Sequence, residues 1–264
     1  MTVMSFNVLC CGVKEYSWTS RKEKVIAAVK KYLPDTIGFQ EAHTEWMSYL
    51  KENLPEYGYE GMGRDDGKDK GEFSSVFYKR DKYEKLGGGS FWLSERPYEP
   101  CVGWDGLCPR TCSWVKLKDR ESGQELFHFN THLDHKGSIA RREGARQIIN
   151  EVYKICKRSD KVIITGDFNS YPAYIESTQE TPGDITDPSS EAYSLVTENG
   201  FDDARLIAKE SDFFHTFHGY SDLSETIDYI FTRNIKVGSF SVIKDKYDGM
   251  YPSDHFPIKA EYSY

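Results

Sequence analysis

The chain has 264 residues, 38% of them apolar and 14% aromatic, which is too much ring surface for a disordered polymer and enough for a sizeable core. Its formal charge of -8, from 34 basic and 42 acidic residues, excludes a global positive field that would draw it onto duplex nucleic acid or anionic lipid. No run approaches the roughly 18 apolar residues of a membrane span, and the opening residues lack a basic, cleavable leader, so a location in the cytoplasm and no membrane partner are the expectation.

Read from the N-terminus, short β-branched and aromatic runs predict strands at 3–9, 36–40, 74–78, 112–117, 125–132, 161–165, 226–232, 239–244 and 256–262. Between the first two, Ser20 and Glu23 have the spacing of a capping box, and Val25, Ile26, Val29 and Leu33 form an apolar face that Pro34 ends. Residues 58–72 carry five glycines among alternating charges and predict a loop over a site. A second helix is predicted over 138–156, burying Ala145, Ile148, Ile149, Val152 and Ile155. No repeat or linker divides the chain, so residues 1–264 are expected to form one α/β (α+β) domain of stacked mixed sheets with flanking helices. Six cysteines lack zinc spacing; they predict free thiols, or, in an oxidising compartment, bridges among Cys101, Cys108 and Cys112.

Acidic, amide and imidazole groups recur where apolar strands end. Asn7 closes VMSFN, Gln40 and Glu41 close TIGFQE, His132 and Asp134 close LFHFNTHLD, and Asp167 and Asn169 close KVIITGDFN. Asp228 lies within TIDYIF, and Asp254 and His255 follow Pro252. Singly, each such residue is ordinarily a turn former or a helix cap. Jointly they point to one site, because converging carboxylates stay ionised only beside a compensating cation. Oxygen donors without thiolate suit Mg²⁺, with Mn²⁺ as a substitute.

In order and spacing, Asn7, Gln40-Glu41, Thr131-His132-Leu133, Gly166-Asp167-Phe168-Asn169, Ile227-Asp228-Tyr229 and Ser253-Asp254-His255 resemble the endonuclease/exonuclease/phosphatase superfamily of metal-dependent phosphoesterases. The resemblance runs from residue 3 to residue 262. It implies a four-layer sandwich, two mixed β-sheets face to face with helices outside. It further implies Glu41 as a direct metal ligand with Asp254 and Asn7 reaching the metal or its waters, Asp167 as proton acceptor for the attacking water, and Asn169 as its holder. His255 would donate to the phosphate, oriented by Asp228, and His132 would be held by Glu72 at the end of the glycine-rich loop. Arg110 falls where relatives place a phosphate contact, and Trp104 in VGWDGL where they place a substrate contact. Trp92, His215, Phe217 and His218 fall where relatives line the cleft, but most aromatic residues here read as core, and Lys136, Arg141 and Arg142 read as solvated helix-start charges.

The substrate is read less sharply. GWDGLCPR, NTHLDH and YPSDHFP look most like the deadenylase and nocturnin-like group and a compact bacterial branch. The leading expectation is a nuclease or phosphodiesterase acting on an oligonucleotide without stable duplex-DNA binding. The alternative is a phosphatase of small nucleotide, sugar or inositol phosphates. A non-catalytic scaffold member is the contrasting class, which loss of a metal or acid/base residue would mark; none is missing.

Overall fold

Successive strand residues face opposite ways, so each apolar strand here supplies two faces, one toward a second sheet and one toward helices. The computed structural model describes residues 1–12, 14–172 and 190–263. Its elements are β1 (Thr2–Asn7), α1 (Trp18–Tyr32), β2 (Thr36–Ala42), α2 (Thr44–Asn53), β3 (Tyr57–Glu60), β4 (Phe73–Lys79), β5 (Tyr83–Trp92), β6 (Thr111–Asp119), β7 (Glu125–His132) and α3 (Ser138–Ile155). They continue with β8 (Lys161–Asp167), α4 (Glu191–Glu198), β9 (Asp202–Asp203), α5 (Ala204–Ile207), β10 (Glu210–Ser211), β11 (Asp228–Arg233), β12 (Lys236–Val242) and β13 (Ile258–Ser263).

One sheet has the order β10-β12-β13-β1-β2-β4-β3 and the other β5-β6-β7-β8-β11-β9. Both are mixed, with β1 and β2 parallel in the first and β7 and β8 parallel in the second. Met4, Phe6, Ile37 and Phe39 pack outward with Val25, Val29, Trp46 and Leu50 of α1 and α2. Phe127, Phe129, Ile164 and Phe231 pack outward with Ile148, Val152 and Val196 of α3 and α4. Val3, Val115, Leu126, Ile163 and Ile230 meet between the sheets. The protein is therefore the expected four-layer sandwich.

Local readings differ in several places. Helix α1 starts two residues before Ser20, after Ser17, and the Ser20 hydroxyl donates to the Glu15 and Ser17 carbonyls, so no capping box forms. Residues 57–60, partly inside the predicted loop, are strand β3 paired to β4. β5, α2, α4, β9, α5 and β10 have no counterpart among the predicted elements. All six cysteines are free thiols. No helix among the described residues is long and apolar enough to cross a membrane.

Candidate active site

The space between the sheets changes character along the parallel strands. On β7 the inward residues are Leu126, His128, Asn130 and His132, and on β8 they are Ile163, Thr165 and Asp167, so the interior passes from apolar to polar toward the strand ends. His128 contacts Thr36 Oγ1 at 2.6 Å and Thr165 Oγ1 at 2.8 Å, and burial pushes its pKa down to about 3, which keeps it neutral. Gln40 donates to Ser5 Oγ at 3.0 Å and to Asn130 Oδ1 at 2.7 Å; it ties the sheets together and does not line the cavity beyond them.

Above this layer lies a cavity of about 440 Å³, lined among others by Glu41, Glu72, Arg110, His132, Asp167, Asn169, Asp254 and His255. Glu41 reaches it through a bulge that adds one residue to β2 between Phe39 and Ala42, and its φ of +60° is a left-handed conformation that a non-glycine residue adopts at a cost. Its carboxylate accepts from Asn7 Nδ2 at 3.0 Å and from the Cys10 N–H at 2.9 Å. Burial pushes Glu41 up, but those donors, His255 and Arg110 outweigh it and hold the carboxyl below its usual range. Burial, opposed by His255 and assisted by Glu41, raises Asp254.

Asp167 is 2% exposed, and burial followed by repulsion from Asp228 pushes its pKa up to about 7. It accepts from Asn7 Nδ2 at 3.0 Å and from the Asn169 N–H at 3.0 Å. The second bond is an Asx turn that leaves Asn169 at φ +46° with its amide 3.1 Å from His132 Nε2. His255 Nδ1 lies 2.9 Å from Asp228 and Nε2 lies 3.7 Å from Asp167. Burial alone would depress His255, yet Asp228, Asp167 and Asp254 raise it well above its ordinary value, which favours the imidazolium form. His132 is the opposite case: burial and the nearby Arg110 and Arg64 keep it neutral.

The expected Glu72–His132 pair does not form. Glu72 accepts from Arg64 Nη1 at 2.6 Å, and buried His132 Nδ1 has no hydrogen-bond partner among the described residues. A guanidinium delivered by the glycine-rich segment takes the carboxylate instead; burial and Glu41 still push Glu72 up. Trp104 does not line the cavity: its backbone turns at φ +47°, and the next residue, Asp105, accepts from the Ile139 and Ala140 N–H groups, pinning this loop over the start of α3. Trp92 is buried beneath the glycine-rich segment, and His218 and His215 lie outside the cavity, whereas Phe217 lines it 4.7 Å from the His255 ring. Arg141, read as solvated, is 2% exposed and donates to Asp134 O, and it and Lys136 line the cavity. Arg142 instead pairs with Glu143.

Sequence reasoning gave no site role to Arg64, Cys108, His135, Tyr171, Glu225 and Ile227, which also line the cavity. It also passed over Arg21, fully buried in α1, which donates to the carbonyls of Val8, Leu9 and Pro252 and so joins the loop after β1 to the loop before Asp254. A charged residue among apolar helical positions was the available signal.

The donor set fits a hard divalent cation. Glu41, His132 and Asp167 offer atoms within 4.8 Å of one another, and Asp167, pushed up first by burial and then by the Asp228 carboxylate, would be relieved by a positive charge there. Cys108, Asp134 and His135 form another close group, but Asp134 already accepts from the Leu107, Lys136 and Gly137 N–H groups and serves as a loop tie.

A family model described as the Endonuclease/Exonuclease/phosphatase family matches residues 4–255. Among solved structures, the mannosyl-6-phosphatase of Bacteroides thetaiotaomicron is 32% identical with a TM-score of 0.88, covering 100% of both chains. An endonuclease/exonuclease/phosphatase from Bacteroides vulgatus is 33% identical with a TM-score of 0.88, covering 99% of this chain and 98% of that one. The Ccr4 3'-5'-exoribonuclease subunit of Candida albicans is 24% identical over 341 aligned positions, covering 99% of this chain. The matches span 41% of the Ccr4 protein and 60% of a mimivirus relative.

Proposed function

The chain belongs to the endonuclease/exonuclease/phosphatase family of phosphoester hydrolases, and on that premise we propose that it is a Mg²⁺-dependent phosphatase of small phosphorylated molecules. The observation that carries the reading is the convergence of Glu41, Asp167, Asp254 and His255 on one cavity. A cavity of about 440 Å³ with Arg64 and Arg110 in its wall suits a single phosphorylated unit. Full-length likeness to a mannosyl-6-phosphatase supports a sugar phosphate within that class.

Glu41, with Asp254 of the same cavity, would hold the cation, whereas Asn7, expected to reach it, donates to Glu41 and Asp167 and accepts from the Leu9 N–H, and so orients the carboxylates. When bound, the cation supplies positive charge that polarises the phosphoryl group. The protein's own groups divide the remaining work. Asp167, poised near neutrality, accepts a proton from the attacking water, which the Asn169 amide positions. His255, held protonated by Asp228, donates to the oxygen on which charge builds. His132 is held neutral and presents a ring nitrogen beside Asn169 and Asp167.

Release of inorganic phosphate from sugar 6-phosphates and nucleotides, measured with Mg²⁺ or Mn²⁺ and with EDTA, tests the reading. Chelator-sensitive release is the expected result. Shortening of a single-stranded oligonucleotide at a higher kcat/KM would favour the nuclease alternative, which the likeness to Ccr4 motivates. Inertness with every divalent ion and both substrate classes would leave the scaffold reading.

A further inference from the structure

Arg64 has no part in the steps above, yet much local structure holds it in place. The segment around it folds back on itself, with Gly63 N–H to Lys68 O at 2.9 Å, Asp65 N–H to Lys70 O at 3.1 Å and Arg64 N–H to Glu72 O at 3.1 Å. The Trp92 indole N–H donates to Arg64 O at 2.7 Å, so both backbone polar groups of Arg64 are tied. A Cβ on Gly67, at φ +71°, would stand 2.6 Å from the Trp92 ring, so the turn sits directly on that indole. The Arg64 side chain is 18% exposed and lines the cavity, and Nη1 is engaged by Glu72. Its buried Nε has no hydrogen-bond acceptor among the described residues, the Asp65 carboxylate lying 3.9 Å away.

Arg110, 6% exposed, lines the same cavity; its Nη2 lies 2.9 Å from His135 Nδ1, and its Nε has no hydrogen-bond acceptor among the described residues, the Asp134 carboxylate lying 3.8 Å away. Both guanidinium groups line this cavity together with His132, Glu72 and Cys108. A guanidinium fork matches a pair of phosphate oxygens, so one such group suffices for the two non-bridging oxygens of a phosphodiester. A second guanidinium adds donors and positive charge that a terminal phosphate, with a further oxygen and a further charge, uses more fully than a diester does.

We infer that Arg64, positioned by Trp92 and Glu72, is a substrate-binding residue that makes the cavity select phosphomonoesters over phosphodiesters. The assignment rests on the phosphohydrolase reading of the same cavity. It is tested by kcat/KM for p-nitrophenyl phosphate and for bis(p-nitrophenyl) phosphate in the wild type, Arg64→Gln and Arg64→Lys, each checked by thermal melting. Arg64→Gln is expected to lower both, the monoester at least tenfold more than the diester and chiefly through KM. Arg64→Lys should recover part of the monoester loss, and inhibition by inorganic phosphate should weaken in step. Trp92→Phe, which removes the indole N–H from Arg64 O, should shift the same ratio in the same direction by a smaller factor. Equal losses on the two esters, or unchanged phosphate inhibition, would overturn the assignment, and if Arg64→Gln does not fold, Arg64→Lys decides by the same ratio. Wild-type protein inert toward both esters would overturn the phosphohydrolase reading itself, whereas active wild type with an unmoved ratio removes only the role given to Arg64.

Discussion

Asp167→Asn in metal-free protein isolates the charge strain that a cation site must carry. In the folded chain Asp167 has a pKa of about 7 against 3.8 for an unperturbed carboxyl, because it is buried beside Asp228. Between those values the folded protein keeps a proton that the unfolded chain has lost, so stability falls as pH rises through this window and levels off above it. At 1.36 kcal/mol per pKa unit the penalty on ionised Asp167 is about 4 kcal/mol at neutral pH. Asparagine cannot ionise; its cost is the loss of an acceptor for Asn7 or Asn169, about 1 kcal/mol and independent of pH. Urea denaturation of both proteins in EDTA from pH 4.5 to pH 7.5 should therefore show the variant gaining on the wild type by a few kcal/mol as pH rises. Excess Mg²⁺ should shrink that gap by stabilising the folded wild type. A gap that stays flat across this range in EDTA would mean that Asp167 ionises without strain, and the argument for a cation from charge convergence would fail.

Asp228→Asn removes the carboxylate that holds His255 protonated, so the pKa of His255 falls, and the alkaline limb of the kcat–pH profile should move to lower pH with kcat reduced about a hundredfold; an unshifted limb would remove His255 from the acid role. Arg21→Met leaves the buried carbonyls of Val8, Leu9 and Pro252 without their donor and should cost about 3 kcal/mol by denaturant titration, with loss of turnover because both loops carry site residues. Gly38→Ala drives a Cβ to 2.1 Å from Thr165 Oγ1 and 2.3 Å from Asn130 Oδ1 between the sheets, which should cost at least about 2 kcal/mol; a variant as stable as wild type would show that the sheets can part there. Asp167→Asn should also lower kcat at least about a hundredfold with Mg²⁺ present, measured on the same substrate, and near wild-type turnover would refute its role as proton acceptor.

Much of the sandwich was legible in the sequence because period-two alternation is local. LFHFNTH already separates Phe127 and Phe129 from Leu126, His128, Asn130 and His132, and the structure uses one set against helices and the other between sheets. β5 escaped because KLGGGSFW has three glycines where a strand should show side chains, although its partner β6 supplies the pairing. α2 escaped because it begins two residues after β2 and is only ten residues long.

At the site, residue type and order along the chain were enough to name Asn7, Glu41, His132, Asp167, Asn169, Asp228, Asp254 and His255 as candidates, since the first five close or follow apolar strands, Asp228 lies in one and Asp254 and His255 precede one. Which of them touch was not in the pattern. Arg64 and Glu72 are eight residues apart and His132 is sixty further along, so only the folding of the glycine-rich turn onto Trp92 decided that Glu72 meets a guanidinium and that His132 Nδ1 has no partner among the described residues. Burial, which drives Asp167 up and His132 down, likewise belongs to no residue by itself. Alternation and chain order are properties of neighbouring residues and can be read from the sequence, whereas ion-pair partners and desolvation depend on segments brought together from far along the chain.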